Sequence, residues 1–435
     1  MKIDFDKVRI IHFIGIGGVG ISALARLMLS LGKQISGTNN NESNNTLDGL
    51  RKNGVEVSLD MNPESLPKAD LYIYSDSWLT MNPDMIKAAK EDGSAVSYYE
   101  ALGEFANKYK LVAVCGTHGK TTTTAMLIDI FEDADLDPMG IVGSLRTKTK
   151  SNFRSGKGEY FISEADEYLR HFLYFKPKIL VITNIDSDHL DYYKDLADIQ
   201  SAFNELAKKV STDGFIICNP NDEKVKPALL GVSAKIIDYT KFGRPVSKLQ
   251  LKVAGEHNRK NASAALACSS AAGLDLGVAK KALENFSGTW RRFEYKGKMK
   301  SGALIYDDYA HHPAEIAATL SGARVSFPDK EITIIFQPHL YSRTKILLND
   351  FAEALSKADY VILAPIYAAR EKKDENISSR ILVEKIKEKN DKVKHFESFS
   401  EIEDYLLKNA VEGDLLITMG AGDIYKVGEK LLSKQ

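Results

Sequence analysis

Six consecutive residues, Gly116-Thr117-His118-Gly119-Lys120-Thr121, combine what a polyphosphate needs from a protein. Glycines let the chain turn so that successive N–H groups face one point, and a following helix N-terminus adds positive potential. A lysine then reaches the β- and γ-phosphates, and a threonine hydroxyl ligates Mg²⁺. Thr122 continues the turn into an expected helix. The strict phosphate-loop spacing wants glycine where Val114 stands, so this is a variant loop whose extra glycine, Gly116, lies closer in. The alternative is an ordinary strand-to-helix turn with a surface lysine. Gly-Lys-Thr-Thr-Thr straight after the apolar run Leu111–Cys115 argues against it.

Two acidic stretches follow. Phe161-Ile-Ser-Glu164-Ala-Asp166-Glu167 and Ile179-Leu-Val-Ile-Thr-Asn184-Ile-Asp186-Ser-Asp188-His189-Leu-Asp191 each place carboxylates at the end of an expected strand. Parallel sheets present side chains at the C-terminal ends of their strands, the edge that also carries the phosphate turn. Thr121 and Glu164 are therefore candidate ligands of one Mg²⁺. His189, flanked by Asp186, Asp188 and Asp191, joins the same polar site.

A second glycine turn, Gly15-Ile-Gly17-Gly18-Val-Gly20, lies between an expected strand, Val8–Ile14, and a helix, Ile21–Leu31. It fits close backbone approach to a diphosphate. A NAD site also wants an acidic residue about 20 positions on. Asn39 closes the second strand instead, which favours another diphosphate ligand such as a nucleotide sugar. A third loop, Asp307-Asp308-Tyr309-Ala310-His311-His312-Pro313, follows the expected strand Ala303–Tyr306. Its Asp-Asp and His-His pairs invite a metal-hydrolase reading, but neighbours on an extended segment point to opposite faces.

These loops need a scaffold of alternating strands and helices, and the chain alternates them throughout, which predicts a doubly wound α/β architecture. Expected boundaries divide it into 1–107, 108–288 and 289–435. The charge run Arg380–Lys394 has helical spacing and reads as a solvated helix face. Net charge is -1, which gives no electrostatic case for nucleic acid or a membrane surface. Scattered cysteines (Cys115, Cys218, Cys268) and the lack of a long apolar run lead us to expect a cytoplasmic protein with free thiols. The sequence leaves monomer or homodimer open.

In order along the whole chain, the motifs resemble those of the Mur ligases. They are His12-Phe-Ile-Gly-Ile-Gly-Gly18, Gly116-Thr-His-Gly-Lys-Thr-Thr-Thr123, Glu164-Ala-Asp-Glu167, Thr183-Asn-Ile-Asp-Ser-Asp-His189, Gly255-Glu-His-Asn258-Arg-Lys-Asn261, Arg291-Arg-Phe-Glu294, Asp307-Asp-Tyr-Ala-His-His-Pro313 and Gln337-Pro-His-Leu-Tyr-Ser-Arg343. The resemblance implies three domains: an N-terminal Rossmann-like domain for the UDP-sugar, a central P-loop ATPase with a parallel sheet, and a C-terminal Rossmann-like domain that brings the amino acid. It implies ATP and Mg²⁺ as cofactors, and UDP-N-acetylmuramate and a small amino acid, L-alanine first, as substrates. ATP would activate the lactyl carboxylate as an acyl phosphate for attack by the amine.

By the same resemblance Lys120 contacts the β/γ-phosphates, Thr121 and Glu164 hold a first Mg²⁺, and His189 holds a second. His257, Asn258 and Asn261 frame the adenine, and Arg292 and Asp308 contact phosphate and nucleotide. Tyr309, His311, His339 and Arg343 line the amino-acid side. Gly15, Gly17, Gly18, Gly20 and Asn39 face the nucleotide sugar. The readings left open are attachment of a preformed peptide to the same sugar, and a nucleotide-switched binding ATPase.

The chain departs from the family pattern at Asn39, at Tyr168-Leu169 and in the short stretch Ile236–Val253. It departs again at Leu340, where the family has an arginine expected to grip the amino acid's carboxylate. Either Arg343 holds that carboxylate alone, with Arg370 a solvated surface residue, or Arg370 substitutes in space for the missing arginine.

Overall fold

The computed structural model describes residues 3–40, 45–189, 192–253, 255–369 and 371–434. They form three sheets, each threaded by helices. The first holds β1 (Ile10–Ile14), β2 (Gln34–Thr38), β3 (Glu56–Ser58), β4 (Leu71–Tyr74) and β5 (Ser94–Ser97), in the order β3-β2-β1-β4-β5. All its pairings are parallel, and the order reverses at β1, whose C-terminal end runs into the Gly15–Gly20 turn. That reversal opens the crevice where doubly wound folds bind ligands.

The second sheet holds β6 (Lys110–Cys115), β7 (Met139–Arg146), β8 (Ser151–Arg154), β9 (Tyr160–Glu164), β10 (Ile179–Ile182), β11 (Phe215–Cys218) and β12 (Lys235–Asp238), in the order β12-β11-β10-β6-β9-β7-β8. Its central strands are apolar throughout because helices cover both faces: every residue from Leu111 to Cys115 and from Ile179 to Ile182 is buried. The expected parallel sheet is found, except that β7 and β8 form an antiparallel edge hairpin. The segment Ile236–Val253 supplies part of β12 and then two short helical turns, Tyr239–Phe242 and Gly243–Ser247.

The third sheet holds β13 (Glu294–Lys298), β14 (Leu304–Asp308), β15 (Glu331–Phe336), β16 (Tyr360–Leu363), β17 (Val393–His395) and β18 (Asp414–Met419), in the order β13-β14-β18-β15-β16-β17. It is parallel apart from the β13–β14 edge. The charge run from Arg380 is not one helix. The helix ends at Lys387, and Val393–His395 is an edge strand.

Packing joins the first two sheets. Residues 1–251 with 260–287 make one compact unit, and 252–259 with 288–435 make another. In the first unit a single apolar core runs from Phe5 and Phe13 through Phe105 to Phe161 and Phe203. Phe105 meets Phe5 at 5.3 Å and Phe161 at 5.9 Å between ring centroids, so one side chain joins the N-terminal turn before β1 to the second sheet. The helix Val19–Ser30 also lies against the β7–β8 hairpin, where the buried Asn152 donates to the Val19 carbonyl at 2.8 Å. All three cysteines are buried free thiols. Among the described residues no helix is long and apolar enough to cross a membrane.

Candidate functional site

The phosphate turn leaves β6 at Cys115 and enters the helix Lys120–Asp133. Gly116 (φ 130°) and Gly119 (φ 87°) hold left-handed conformations that other L-residues resist. A Cβ at Gly116 would strike the Thr183 hydroxyl, and one at Gly119 the Asn261 side-chain oxygen. The loop is held from β10. Asn184 accepts from the His118 N–H and donates to the His118 carbonyl, both at 2.9 Å, and the Thr183 hydroxyl donates to the same carbonyl at 2.6 Å. Thr117 bonds the Asp186 N–H at 2.7 Å, and Tyr239 in turn bonds the Thr183 carbonyl at 2.8 Å.

The helix that starts at Lys120 has no side-chain cap, nor has the helix that starts at Val19 after the first glycine turn. Ser97, Asp195, Asp275, Ser378 and Ser398 each cap a helix start with a side-chain oxygen, while the helices Leu348–Leu355 and Tyr425–Ser433 are also uncapped but have Leu347 and Ile424, not glycine, at the N-cap. Two glycine turns that lead into uncapped helix ends suit two anionic groups.

Lys120 is folded back into this turn. Its ammonium donates to the Gly116 and Thr117 carbonyls at 2.6 and 3.2 Å and to Glu167 at 2.8 Å. Burial opposes its charge, but Glu167 and Asp166 more than offset that, and its pKa stands above the ordinary lysine value. Lys120 is thus a fixed cation whose present partner, Glu167, is almost wholly buried.

The neighbouring strand β9 ends at Glu164, whose carboxylate accepts from the Thr121 hydroxyl at 3.2 Å and from the Gly143 N–H of the β7–β8 hairpin. A hydroxyl and a carboxylate beside a phosphate turn are hard oxygen donors of the kind Mg²⁺ takes, so the residues fit that ion. Among the described residues no three His, Cys, Asp or Glu side chains gather as a metal cluster. A Mg²⁺ here would draw its other ligands from phosphate and water, as it commonly does. His189 lies on the loop after β10 with φ 53°, its ring 4.8 Å from that of Tyr168. Asp191 lies outside the described residues.

In the first glycine turn, Gly15 abuts Trp78. A Cβ on Gly17 would lie 2.8 Å from the Asn39 side-chain oxygen, and one on Gly20 2.8 Å from the Tyr98 hydroxyl. Asn39 is buried and accepts from the Gly17 N–H at 3.1 Å, so it braces the turn from below. Gly18 is the N-cap of the following helix. His12, under the turn, bonds Ser36 and Thr38 at 2.9 and 3.0 Å, and burial pushes its pKa down to about 4.

The helix Glu256–Ala271 carries His257, Asn258 and Asn261. Asn258 and Asn261 are buried, Asn261 against Gly119, while His257 packs beside Gly255 and Gly322.

In the second unit the expected residues form a cluster at the C-terminal edge of the third sheet. Arg292 lies over the Tyr309 ring at 5.3 Å, Tyr309 meets His311 at 5.4 Å, and His311 meets His339 at 5.8 Å. Arg343 reaches His339 Nδ1 at 3.5 Å. Asp308 accepts from the Phe293 and Ala310 N–H groups at 2.7 and 2.8 Å, and burial raises its pKa to about 6. Its carboxylate therefore shapes the Arg291–Phe293 loop. Leu340 is buried with φ 70°, its N–H bonded to the Tyr367 carbonyl. Arg370, the candidate substitute, lies outside the described residues.

Sequence reading missed several residues that build these sites. Arg291 is buried, paired with Asp307 at 2.7 Å, and donates to the Gly420 and Gly422 carbonyls, so it anchors the turn after β18 to the end of β14. Glu167, Thr183 and Asn184 lie inside quoted motifs but carried no role. Only their contacts reveal that they hold the lysine and the loop.

A phosphate turn with a fixed lysine, a hydroxyl–carboxylate pair and a separate diphosphate-type turn define a nucleotide-using enzyme of the doubly wound class. The chain belongs to the Mur ligase family: residues 10–110 match the Mur ligase family catalytic domain, 114–269 the Mur ligase middle domain, and 291–422 the Mur ligase glutamate ligase domain. It is 41% identical over 460 aligned residues, covering 100% of both chains, to the UDP-N-acetylmuramate–L-alanine ligase of Agathobacter rectalis. It is 43% identical to the enzyme of the same name from Lachnospira eligens, with 99% of each chain covered. Among solved structures, the UDP-N-acetylmuramate–alanine ligase of Thermotoga maritima aligns with a TM-score of 0.81 at 27% identity, covering 98% of this chain and 99% of that one.

Proposed function

We propose that this chain is an ATP-dependent ligase that joins L-alanine to the lactyl carboxylate of UDP-N-acetylmuramate, a step of peptidoglycan precursor synthesis in the cytoplasm. The observation that carries the reading is the pairing of two uncapped, glycine-led helix starts in one compact unit, one for each polyphosphate. Full-length identity of about two residues in five to relatives named for this activity supports the same substrates. In this reading residues 1–107 hold the nucleotide sugar, 108–288 the ATP, and 289–435 the amino acid.

A lactyl carboxylate oxygen attacks the γ-phosphorus, and ADP leaves. The amino acid's amine then attacks the acyl carbon, and inorganic phosphate leaves with the former carboxylate oxygen. The protein's task is placement and charge neutralisation, since an anionic carboxylate must approach a triphosphate. Gly116, Thr117, His118, Gly119 and Thr122 supply the backbone cradle. Lys120 exchanges Glu167 for the β/γ-phosphates and offsets charge on the transferring group. Thr121 and Glu164 would hold one Mg²⁺ and His189 a second, and bound Mg²⁺ would neutralise the phosphate oxygens. Asn258 and Asn261 frame the adenine side with His257, and Arg292 contacts the phosphate. Arg343 holds the amino acid's carboxylate, with Tyr309, His311 and His339 around its side chain and ammonium. The ammonium must lose one proton before it attacks, and His339, 3.5 Å from Arg343, and His311 beside it are candidate bases.

An assay of purified protein with ATP, UDP-N-acetylmuramate and a panel of L-alanine, glycine, L-serine and a cell-wall tripeptide tests this. L-alanine should be the best acceptor. Preference for the tripeptide would assign the chain to peptide attachment instead.

A further inference from the structure

The first glycine turn and the Glu164–Glu167 segment belong to different sheets, yet a closed ring of side chains connects them, and its keystone is His171. One end of the turn, Gly15, abuts Trp78 and Ser75 in the loop after β4. Asp76 of that loop meets His171 Nε2 at 2.6 Å. The other end, Gly20, abuts the Tyr98 hydroxyl. Tyr98 touches Tyr99 edge-on at 4.7 Å, and the Tyr99 ring lies flat on the His171 imidazole at 3.7 Å and 11°. The Tyr99 hydroxyl donates to Asp166 at 2.7 Å, and His171 Nδ1 lies 3.9 Å from the same carboxylate, an electrostatic approach beyond hydrogen-bond distance. Asp166 sits between Glu164, the candidate Mg²⁺ ligand, and Glu167, the partner of Lys120. His171 itself is 8% exposed.

Each contact here is of a kind that fixes geometry. A flat stack on an aromatic ring and a charge-assisted bond to a carboxylate leave the imidazole one orientation. Asp166 and Asp76 more than offset the effect of burial, so the imidazole pKa lies above its ordinary value and the bond to Asp76 is strengthened by charge.

We propose that His171 is a positioning residue for the reaction: by tying Asp76 and Tyr99 of the first sheet's domain to Asp166 of the central one, it sets where the sugar's lactyl carboxylate stands relative to the γ-phosphate. The inference rests on the ligase reading above. A substrate anchored by its diphosphate at Gly15–Gly20 must deliver its carboxylate beside Thr121 and Glu164, and a slip of about 1 Å at such a junction costs about 100-fold in rate. His171 acts through Asp166 and Tyr99, without contact to substrate.

The test uses the full-length enzyme with His171→Asn, Asp76→Asn, their double variant and Tyr99→Phe, which keeps the stack but deletes the bond to Asp166. Calorimetry measures UDP and ATP-analogue binding, and steady-state kinetics measures kcat. We expect kcat to fall at least 10-fold in His171→Asn and 3-fold or more in Tyr99→Phe. The affinities for UDP and ATP analogue should stay within twofold, because each ligand's own loop is intact. The double variant should be no worse than the worse single one, since both break the same bridge. A kcat within twofold of wild type in both His171→Asn and Tyr99→Phe would overturn the proposal. So would a loss in kcat matched by equal losses of both affinities, which marks a merely structural role. If wild-type enzyme itself formed no UDP-N-acetylmuramoyl-alanine, the ligase reading would fail, and the junction would not be at fault.

Discussion

Removing Lys120 should damage the protein in two separable ways, and the structure says how to separate them. In the proposed reaction the ammonium carries charge for the transferring phosphoryl group, and losing such a contact costs about 3 kcal/mol in the transition state, roughly 100-fold in rate. It is also the hydrogen-bond partner of the Glu167 carboxylate, whose side chain is only 4% exposed while that of Lys120 is 18% exposed. Breaking a buried pair leaves an uncompensated charge, at a cost of about 3–5 kcal/mol. In a unit of this size each kcal/mol shifts Tm by about 2–4 °C, so Lys120→Ala should melt roughly 6–20 °C lower. Glu167→Gln, added to it, removes the stranded charge. The double variant should recover most of the lost Tm and still form acyl phosphate about 100-fold more slowly, measured by hydroxylamine trapping of the activated carboxylate. Recovery of the rate along with the Tm would refute the phosphate role of Lys120. An unchanged Tm in the single variant would refute the buried pair.

Three further outcomes follow from the same geometry. Gly119→Ala forces a left-handed alanine against Asn261, a strain of about 1–2 kcal/mol before any clash, and should weaken ATP binding at least 10-fold by calorimetry while UDP binding is unchanged. With Leu340 buried and its side chain unable to hydrogen-bond, the proposed reading gives Arg343 the carboxylate bond of about 1.5–3 kcal/mol, so Arg343→Ala should raise the KM for L-alanine roughly 10- to 150-fold and leave the KM for ATP unchanged. His171 is faced by Asp76, Asp166 and the rings of Tyr99 and Tyr168, and its folded pKa is raised. The stabilisation it gives is complete below about pH 6.5 and is lost as pH rises through the raised value. The Tm gap between wild type and His171→Asn should therefore be widest near pH 6 and narrow towards pH 9, and a gap that widened with pH would contradict this charge state.

Much of the scaffold was legible because the glycine turns punctuate it. Strand, glycines and helix in sequence located β1, β6 and their helices within two residues, since an apolar run buried on both faces leaves little freedom in where it starts. Val393–His395 was hidden inside a charged run. A three-residue edge strand is too short to show alternation, and its flanking lysines mimic a helix face. The site residues quoted from motifs fall into two groups, one in each compact unit, but their supports were not legible. Glu167, Asn184 and Arg291 act through contacts with residues 16 to 131 positions away, which no local pattern encodes. His171 reads as an ordinary aromatic-segment residue until Asp76 and Tyr99 are seen around it. Asn39 was legible as a departure from a NAD site, but its bond to Gly17 was not.

In the proposed reaction ATP activates the lactyl carboxylate of UDP-N-acetylmuramate as an acyl phosphate before the amine attacks. UDP-N-acetylmuramate labelled with ¹⁸O in that carboxylate, turned over with ATP and L-alanine, tests it in one step. Mass analysis of the released phosphate should find one ¹⁸O atom per phosphate, at a rate that matches amide formation. Unlabelled phosphate, or ATP turnover that proceeds without the nucleotide sugar, would contradict the account.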